Sequence, residues 1–141
     1  MTRAVRLVLD TNVWLDWLVF DDPAIAPIRA AVAAERAEVF IDALCEAELE
    51  RALGYDLGKR EVDVPACLAE CRRVARRIDK AAPEAERAQL PACRDRDDQK
   101  FMEAALAAGA DFLVTKDRQL LDLARRCARF HIVPPEEFAA S

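Results

Sequence analysis

Two acidic motifs lie far apart in this chain: Leu7-Val8-Leu9-Asp10-Thr11-Asn12 and Phe112-Leu113-Val114-Thr115-Lys116-Asp117. Each is a short apolar run that ends in Asp or in Thr-x-Asp. Such runs predict buried parallel strands, and open α/β sheets place ligands just beyond the carboxyl ends of those strands. Two acids delivered there from remote sequence predict a site for a divalent cation. Carboxylates are hard oxygen donors, suited to Mg²⁺ or Mn²⁺.

Two more acids are singled out by helical geometry. In residues 43–53, the positions three and four away from Glu48 are Leu44, Cys45, Arg51 and Ala52, with Arg51 the only charged one. Glu48 therefore falls on the apolar side, with Glu46 and Glu50 roughly opposite. An ionised carboxylate on a buried face costs on the order of several kcal/mol unless it is paired or bound to metal. From Asp98, positions i+3, i+4 and i+7 are Phe101, Met102 and Ala105, all apolar. From Gln99 they are mixed, so Asp98 starts the core-facing stripe. Asp97 is the alternative third acid; an acid there is also explained by capping or the helix dipole. Asp10 and Asp117 could each be an N-cap alone. Two caps together with two acids on apolar faces make a less ordinary coincidence. Asp122 has Arg118, Arg125 and Arg126 as helical neighbours and reads as an exposed ion-pair face. Asp16 fits either the same pocket or an exposed position.

These acids need strands and helices to position them. Strands are expected at residues 7–9, 39–41, 112–115 and 130–133, with a short one hidden around 78–82. Helices are expected at 13–20, ended by Asp21-Asp22-Pro23, and at 24–35, 43–53, 65–78, 97–108 and 118–127. The 65–78 stretch repeats apolar residues at helical spacing under a basic outer face; residues 81–91 are the weakest region. Strands alternating with helices imply a parallel sheet covered on both faces. The expected fold is a three-layer α/β/α domain with a central parallel sheet of four to five strands. A chain of 141 residues has the size of one domain, 1–141.

Composition narrows the function. Hydrophobic residues make up 53% of the chain and charged residues 33%, enough for a core and a polar surface. No apolar run approaches the ~20 residues of a membrane span, and the N-terminus lacks a signal-peptide pattern, so no membrane and a cytoplasmic location are expected. Cys45, Cys67, Cys71, Cys93 and Cys127 form no CxxC pair and face a single histidine, His131. They read as reduced thiols rather than a zinc set. A net charge of −5 argues against non-specific coating of nucleic acid. It does not exclude a nuclease whose acids are offset by bound cations. Positive charge is local, at Arg72, Arg73, Arg76, Arg77 and Lys80.

In order and spacing, Leu9-Asp10-Thr11-Asn12, a helical Glu48, Cys93-Arg94-Asp95-Arg96-Asp97-Asp98-Gln99-Lys100-Phe101 and Val114-Thr115-Lys116-Asp117 resemble the PIN domain. The segment from Ala104 to Asp117, with Gly109-Ala110-Asp111 before the strand, is similar to the bacterial toxin-like (VapC-like) branch of type II toxin–antitoxin systems. Pro134-Pro135-Glu136-Glu137-Phe138 resembles the usual ending of that branch. The resemblance implies a PIN-like fold and a metal-dependent ribonuclease with one or two Mg²⁺ or Mn²⁺ ions. It places the four family acids on Asp10, Glu48, Asp98 and Asp117. Asn12 and Thr115 match polar positions that support them, and Asp95 is a further supporting group. Asp10, Asp98 and Asp117 are expected to hold the metal, with Glu48 ligating directly or through water. Arg94 and Arg96 are expected to hold the RNA backbone. The resemblance also implies a small antitoxin partner and a homodimer; Trp14, Trp17 and Phe20 are candidates for core or interface. A loop over residues 54–64 is expected to help set the RNA target.

Two other enzyme classes fit less well. A phosphatase of the haloacid dehalogenase type needs Asp-x-Asp after its first strand, where this chain has Asp10-Thr11-Asn12. A receiver-type phosphoacceptor needs an acidic pair at the first strand and Thr and Lys on separate strands, where Thr115 and Lys116 are adjacent. A housekeeping RNA-processing nuclease and a non-catalytic binding module with the same fold remain the alternatives to a toxin.

Overall fold

A computed structural model describes residues 3–55, 57–58 and 61–138. Asp56, Lys59 and Arg60, part of the expected specificity loop, lie outside the described residues. Five strands form one sheet: β1 (Val5–Leu9), β2 (Ala37–Ile41), β3 (Ala75–Arg77), β4 (Phe112–Val114) and β5 (His131–Val133). Their order is β3-β2-β1-β4-β5, and every neighbouring pair is parallel. Successive residues of a strand point to opposite faces. Leu7, Val8 and Leu9 are all at most 1% exposed, so both faces of the central strand are covered. Covered faces explain why the inner part of β1, Leu7–Leu9, is a continuous apolar run rather than an alternating one.

The helices are α1 (Thr11–Leu15), α2 (Ala26–Ala33), α3 (Ala43–Leu53), α4 (Val64–Val74), α5 (Glu84–Arg87), α6 (Gln99–Ala108) and α7 (Arg118–Leu121). Together with the sheet they make the expected α/β/α architecture. Asp42 and Asp63 cap α3 and α4 by accepting the Cys45 and Ala66 N–H groups, which satisfies donors the helices leave unpaired. Gly109 closes α6 with φ +61°, a left-handed cap that glycine adopts without strain.

Several elements depart from the sequence expectation. The 65–78 helix stops at Val74. Ala75 turns extended (φ −95°, ψ 144°) and the chain adds β3 to the open edge of β2, with Val39 opposite Ala75 and Ile41 opposite Arg77. The hidden strand is therefore at Ala75–Arg77 rather than 78–82. Ala75 and Ile78 continue the helical spacing of the preceding segment, so periodicity alone carries the helix too far. The 13–20 helix widens to a π-helix over Asp16–Phe20. The 118–127 helix is α7 followed by a separate 3₁₀ turn, Ala124–Arg126; Asp122 is exposed as expected, but makes no ion pair among the described residues. The 24–35 and 97–108 stretches each begin with a 3₁₀ turn, at Pro23–Ile25 and Arg96–Asp98.

The faces of α3 also differ. Leu44 is 67% exposed, whereas Glu46 is buried. Each oxygen of Glu46 takes one guanidinium: Arg72 at 2.6 Å and Arg77 at 2.5 Å. This acid ties α3 to α4 and to edge strand β3, and two of the five basic residues of the patch read from the sequence, Arg72 and Arg77, are thereby structural. Trp14 and Trp17 are core residues, with rings 5.8 Å apart; Phe20 is half-buried against the core. All five cysteines are free thiols, with Cys45 and Cys71 buried.

Candidate active site at the carboxyl edge of the sheet

From β1 the chain builds outward to β2 and β3, then returns to place β4 and β5 on the other side. The strand order therefore reverses between β1 and β4, the crevice where such sheets bind ligands. Asp10 follows β1 and Asp117 follows β4, so the two acidic motifs flank that crevice.

Asp10 is buried and extends the ladder through its N–H to the Val114 carbonyl at 3.0 Å. Its Oδ1 caps α1 by accepting the Val13 N–H at 3.0 Å. Its Oδ2 accepts the hydroxyl of the fully buried Thr115. The same Thr115 oxygen accepts the Asp117 N–H at 2.9 Å, while Asp117 Oδ1 caps α7 through the Gln119 N–H at 2.8 Å. Both acids are thus N-caps at the edge of the crevice, and Thr115 joins them. Burial raises the Asp10 carboxyl above the usual carboxylate range; its bonds from Thr115 and Val13 oppose this, Asp117 adds to it and Lys116 counters it.

Asp98 ends the 3₁₀ turn before α6. Burial pushes its carboxyl up to about 6, with Asp117, Asp95, a hydrogen bond to Asp117 and Glu48 adding to the shift. Asp98 is therefore the acid that meets the motif after β4. Asp97 is exposed, its N–H satisfied by Asp95 Oδ1 at 2.9 Å. Asp95 caps the turn beside Asp98. Gln99, not singled out from sequence, holds the approach to this turn: its Oε1 accepts the Cys93 N–H at 2.7 Å and its Nε2 donates to the Pro91 carbonyl at 3.2 Å. The Cys93 thiol is pushed up to about 11 by burial, then by Asp98, Asp117 and Asp95. It stays protonated next to the acids, leaving carboxylate oxygens as the donors.

Glu48 is partly buried on α3. Its Oε2 accepts the Thr11 hydroxyl, and its Oε1 pairs with Lys100 Nζ at 2.6 Å. Thr11 thus holds Glu48, while Asn12 is exposed and makes no hydrogen bond to the acids among the described residues. The two neighbours sit at the first turn of α1, where sequence spacing does not say which one faces α3. Arg94 and Arg96 are exposed on either side of Asp95.

A second pair missed by sequence reading is Asp16 with Lys116. Asp16 is buried at the start of the π-helix, and Lys116 Nζ reaches it at 2.6 Å. The ammonium also lowers the Asp10 carboxyl, so it lies at the mouth of the crevice. Lys116→Met should destabilise the fold by about 2 kcal/mol, less than a fully buried pair because the lysine is half in water. Adding Asp16→Asn should restore most of the loss in urea denaturation; strict additivity of the two changes would refute the pairing.

Among the described residues, no three acid, cysteine or histidine groups are already gathered as a ready-made ion cage. The donor chemistry nonetheless fits a hard divalent cation. Asp10, Asp98 and Asp117 supply oxygen only, and the crowding that raises Asp98 is what a dication would relieve.

A family model described as PIN domain matches residues 6–119. No curated protein matches the chain. Among solved structures, VapBC2 from Rickettsia felis, bound to a DNA fragment from its promoter, is similar with a TM-score of 0.63 and 17% identity, over 91% of this chain and 97% of that one. PAE2754 from Pyrobaculum aerophilum is similar with a TM-score of 0.57 and 18% identity, over 92% and 83%. At such identity the two structures speak for the fold, and the family match spans most of the chain and all four acidic positions. The chain belongs to the PIN domain family.

Proposed function

We propose that this protein is a metal-dependent ribonuclease and the toxin of a toxin–antitoxin pair. The observation that carries the reading is the meeting of Asp98 with Asp117 in the crevice whose floor is Asp10. Asp10, Asp98 and Asp117 hold Mg²⁺ or Mn²⁺, with Glu48 beside them. When bound, the ion supplies an activated water and neutralises charge on the phosphodiester. The chain's own residues keep the acids in place: Thr115 fixes Asp10 relative to Asp117, and Thr11 fixes Glu48. Arg94 and Arg96, exposed next to Asp98, hold the RNA backbone.

The toxin role draws on the similarity to a VapBC complex. It implies a small antitoxin partner. A homodimer is carried with the same resemblance; Trp14 and Trp17 are spent in the core, so an apolar contact would fall to exposed residues such as Leu44 and Tyr55. No helix is long and apolar enough to cross a membrane among the described residues.

The test is Asp10→Asn. Asparagine keeps the cap and the volume, whereas alanine would also remove an N-cap worth about 1–2 kcal/mol. Purified wild-type protein should cleave RNA with Mn²⁺ and stop with EDTA, and Asp10→Asn should lose at least about a hundredfold. Undiminished cleavage by the variant would refute the site. Growth arrest on expression, relieved by a neighbouring small gene, tests the toxin role. Robust RNA cleavage without toxicity or a partner gene would favour an RNA-processing enzyme.

A further inference from the structure

We propose that Lys100 fills the position of a second metal ion, so that the site takes one divalent cation and Glu48 does not touch it. This rests on the nuclease reading above for the identity of the site, but not on cleavage itself. Lys100 is only 14% exposed, unusual for lysine. Its ammonium lies 2.6 Å from Glu48 Oε1 and 2.5 Å from the Asp97 carbonyl. It also sits 5.3 Å from the centre of the Phe101 ring, within the range of a cation–π contact. Three separate partners therefore hold one partly buried charge.

Glu48 differs from Asp10 in the kind of partner it has. Both acids accept bonds on both oxygens, but a carboxylate oxygen has acceptor capacity to spare. The donors on Asp10 are a neutral N–H and a hydroxyl, which leave its negative charge available to an ion. Glu48 Oε1 instead faces the full positive charge of the Lys100 ammonium, so its own charge is already neutralised. Two-ion sites hold their metals about 3.5–4 Å apart and need carboxylates to share between them. An ammonium seated on Glu48 would repel a second dication there. It also leaves the other acids uncompensated, and these are the ones whose crowding one ion relieves. Lys100 is thus a positioning residue that sets metal stoichiometry and anchors α3 to the start of α6.

The experiment counts Mn²⁺ bound to purified protein from the free-ion EPR signal. Wild type should bind one equivalent, Lys100→Arg one, and Lys100→Met two. Glu48→Gln should change the Kd of the wild-type ion by less than about threefold. Two equivalents in wild type, none at all, or one in a folded Lys100→Met would overturn the inference. If Lys100→Met does not fold, Glu48→Gln decides: tenfold weaker binding would make Glu48 a ligand and refute the proposal. One bound ion without RNA cleavage would instead defeat the nuclease reading and leave this inference standing.

Discussion

Asp98→Asn should lose about two to three orders of magnitude in RNA cleavage and, without metal, be more stable than the wild type at neutral pH. The two effects have one origin. Burial and the neighbouring charges of Asp117 and Asp95 hold the Asp98 carboxyl at about 6, against an ordinary value of 3.8. A group whose folded pKa is raised favours the folded state while it is protonated. That advantage is complete below about pH 4 and is lost as pH rises through about 6. Above about pH 7 the ionised group is a burden on the fold. The carboxyl is partly buried and still open to water, so after solvent screening the burden is about 1 kcal/mol. Asparagine removes it, so the two proteins should have equal stability near pH 4 and diverge by about pH 7. Urea titrations in EDTA at several pH values measure this. Adding Mn²⁺ should stabilise the wild type and do so much less in the variant. A variant less stable than wild type at neutral pH without metal would show that Asp98 is a structural cap and not a member of the acid cluster.

Trp14→Ala should produce the largest loss of stability, about 4 kcal/mol, or on the order of 10 °C in Tm. Trp14 is 1% exposed and packs against Trp17 in the helix that immediately follows Asp10. Trp14→Phe should cost about 1 kcal/mol or less. The indole Nε1 is buried without a hydrogen-bond partner among the described residues. Phenylalanine removes that unsatisfied donor, which offsets part of the lost volume. Thermal unfolding of both variants checks the contrast. A Trp14→Ala protein within about 1 kcal/mol of wild type, but altered in oligomeric state, would return Trp14 to an interface.

The central strands were readable because both faces of a parallel sheet are buried, which makes Leu7–Leu9 of β1 and all of β4 short unbroken apolar runs. Asp10 and Asp117 were readable because they stand where those runs stop. Asp98 was distinguished from Asp97 by the stripe it begins; in the structure Asp98 is partly buried beside Asp117, and Asp97 is exposed. Boundaries were harder. At Ala75 the helical period persists although the backbone has turned extended, because the open edge of β2 accepts a strand there. The faces of α3 were misread for a related reason. That helix packs against α1, α4 and α6, so it has more than one buried side, and Glu46 faces arginines far along the chain. Lys100 with Glu48 and Lys116 with Asp16 were invisible for the same cause: each is a cross-chain pair of opposite charges, and no local period records it. Thr11 was passed over for Asn12 because one residue of rotation on a first helical turn is not encoded by pattern.

The bond from Thr115 to Asp10 joins residues 105 positions apart. Proteins leave the ribosome N-terminus first, and segments far apart in sequence pair late. While residues before 112 are being made, β1 has β2 at its side but no β4, and Asp10 lacks both Thr115 and Asp117. Three of the four acids are then already synthesised, yet the crevice has only one wall. The second wall is in place only once β4 has docked on β1. The proposed site is therefore assembled by tertiary docking rather than by any one local segment.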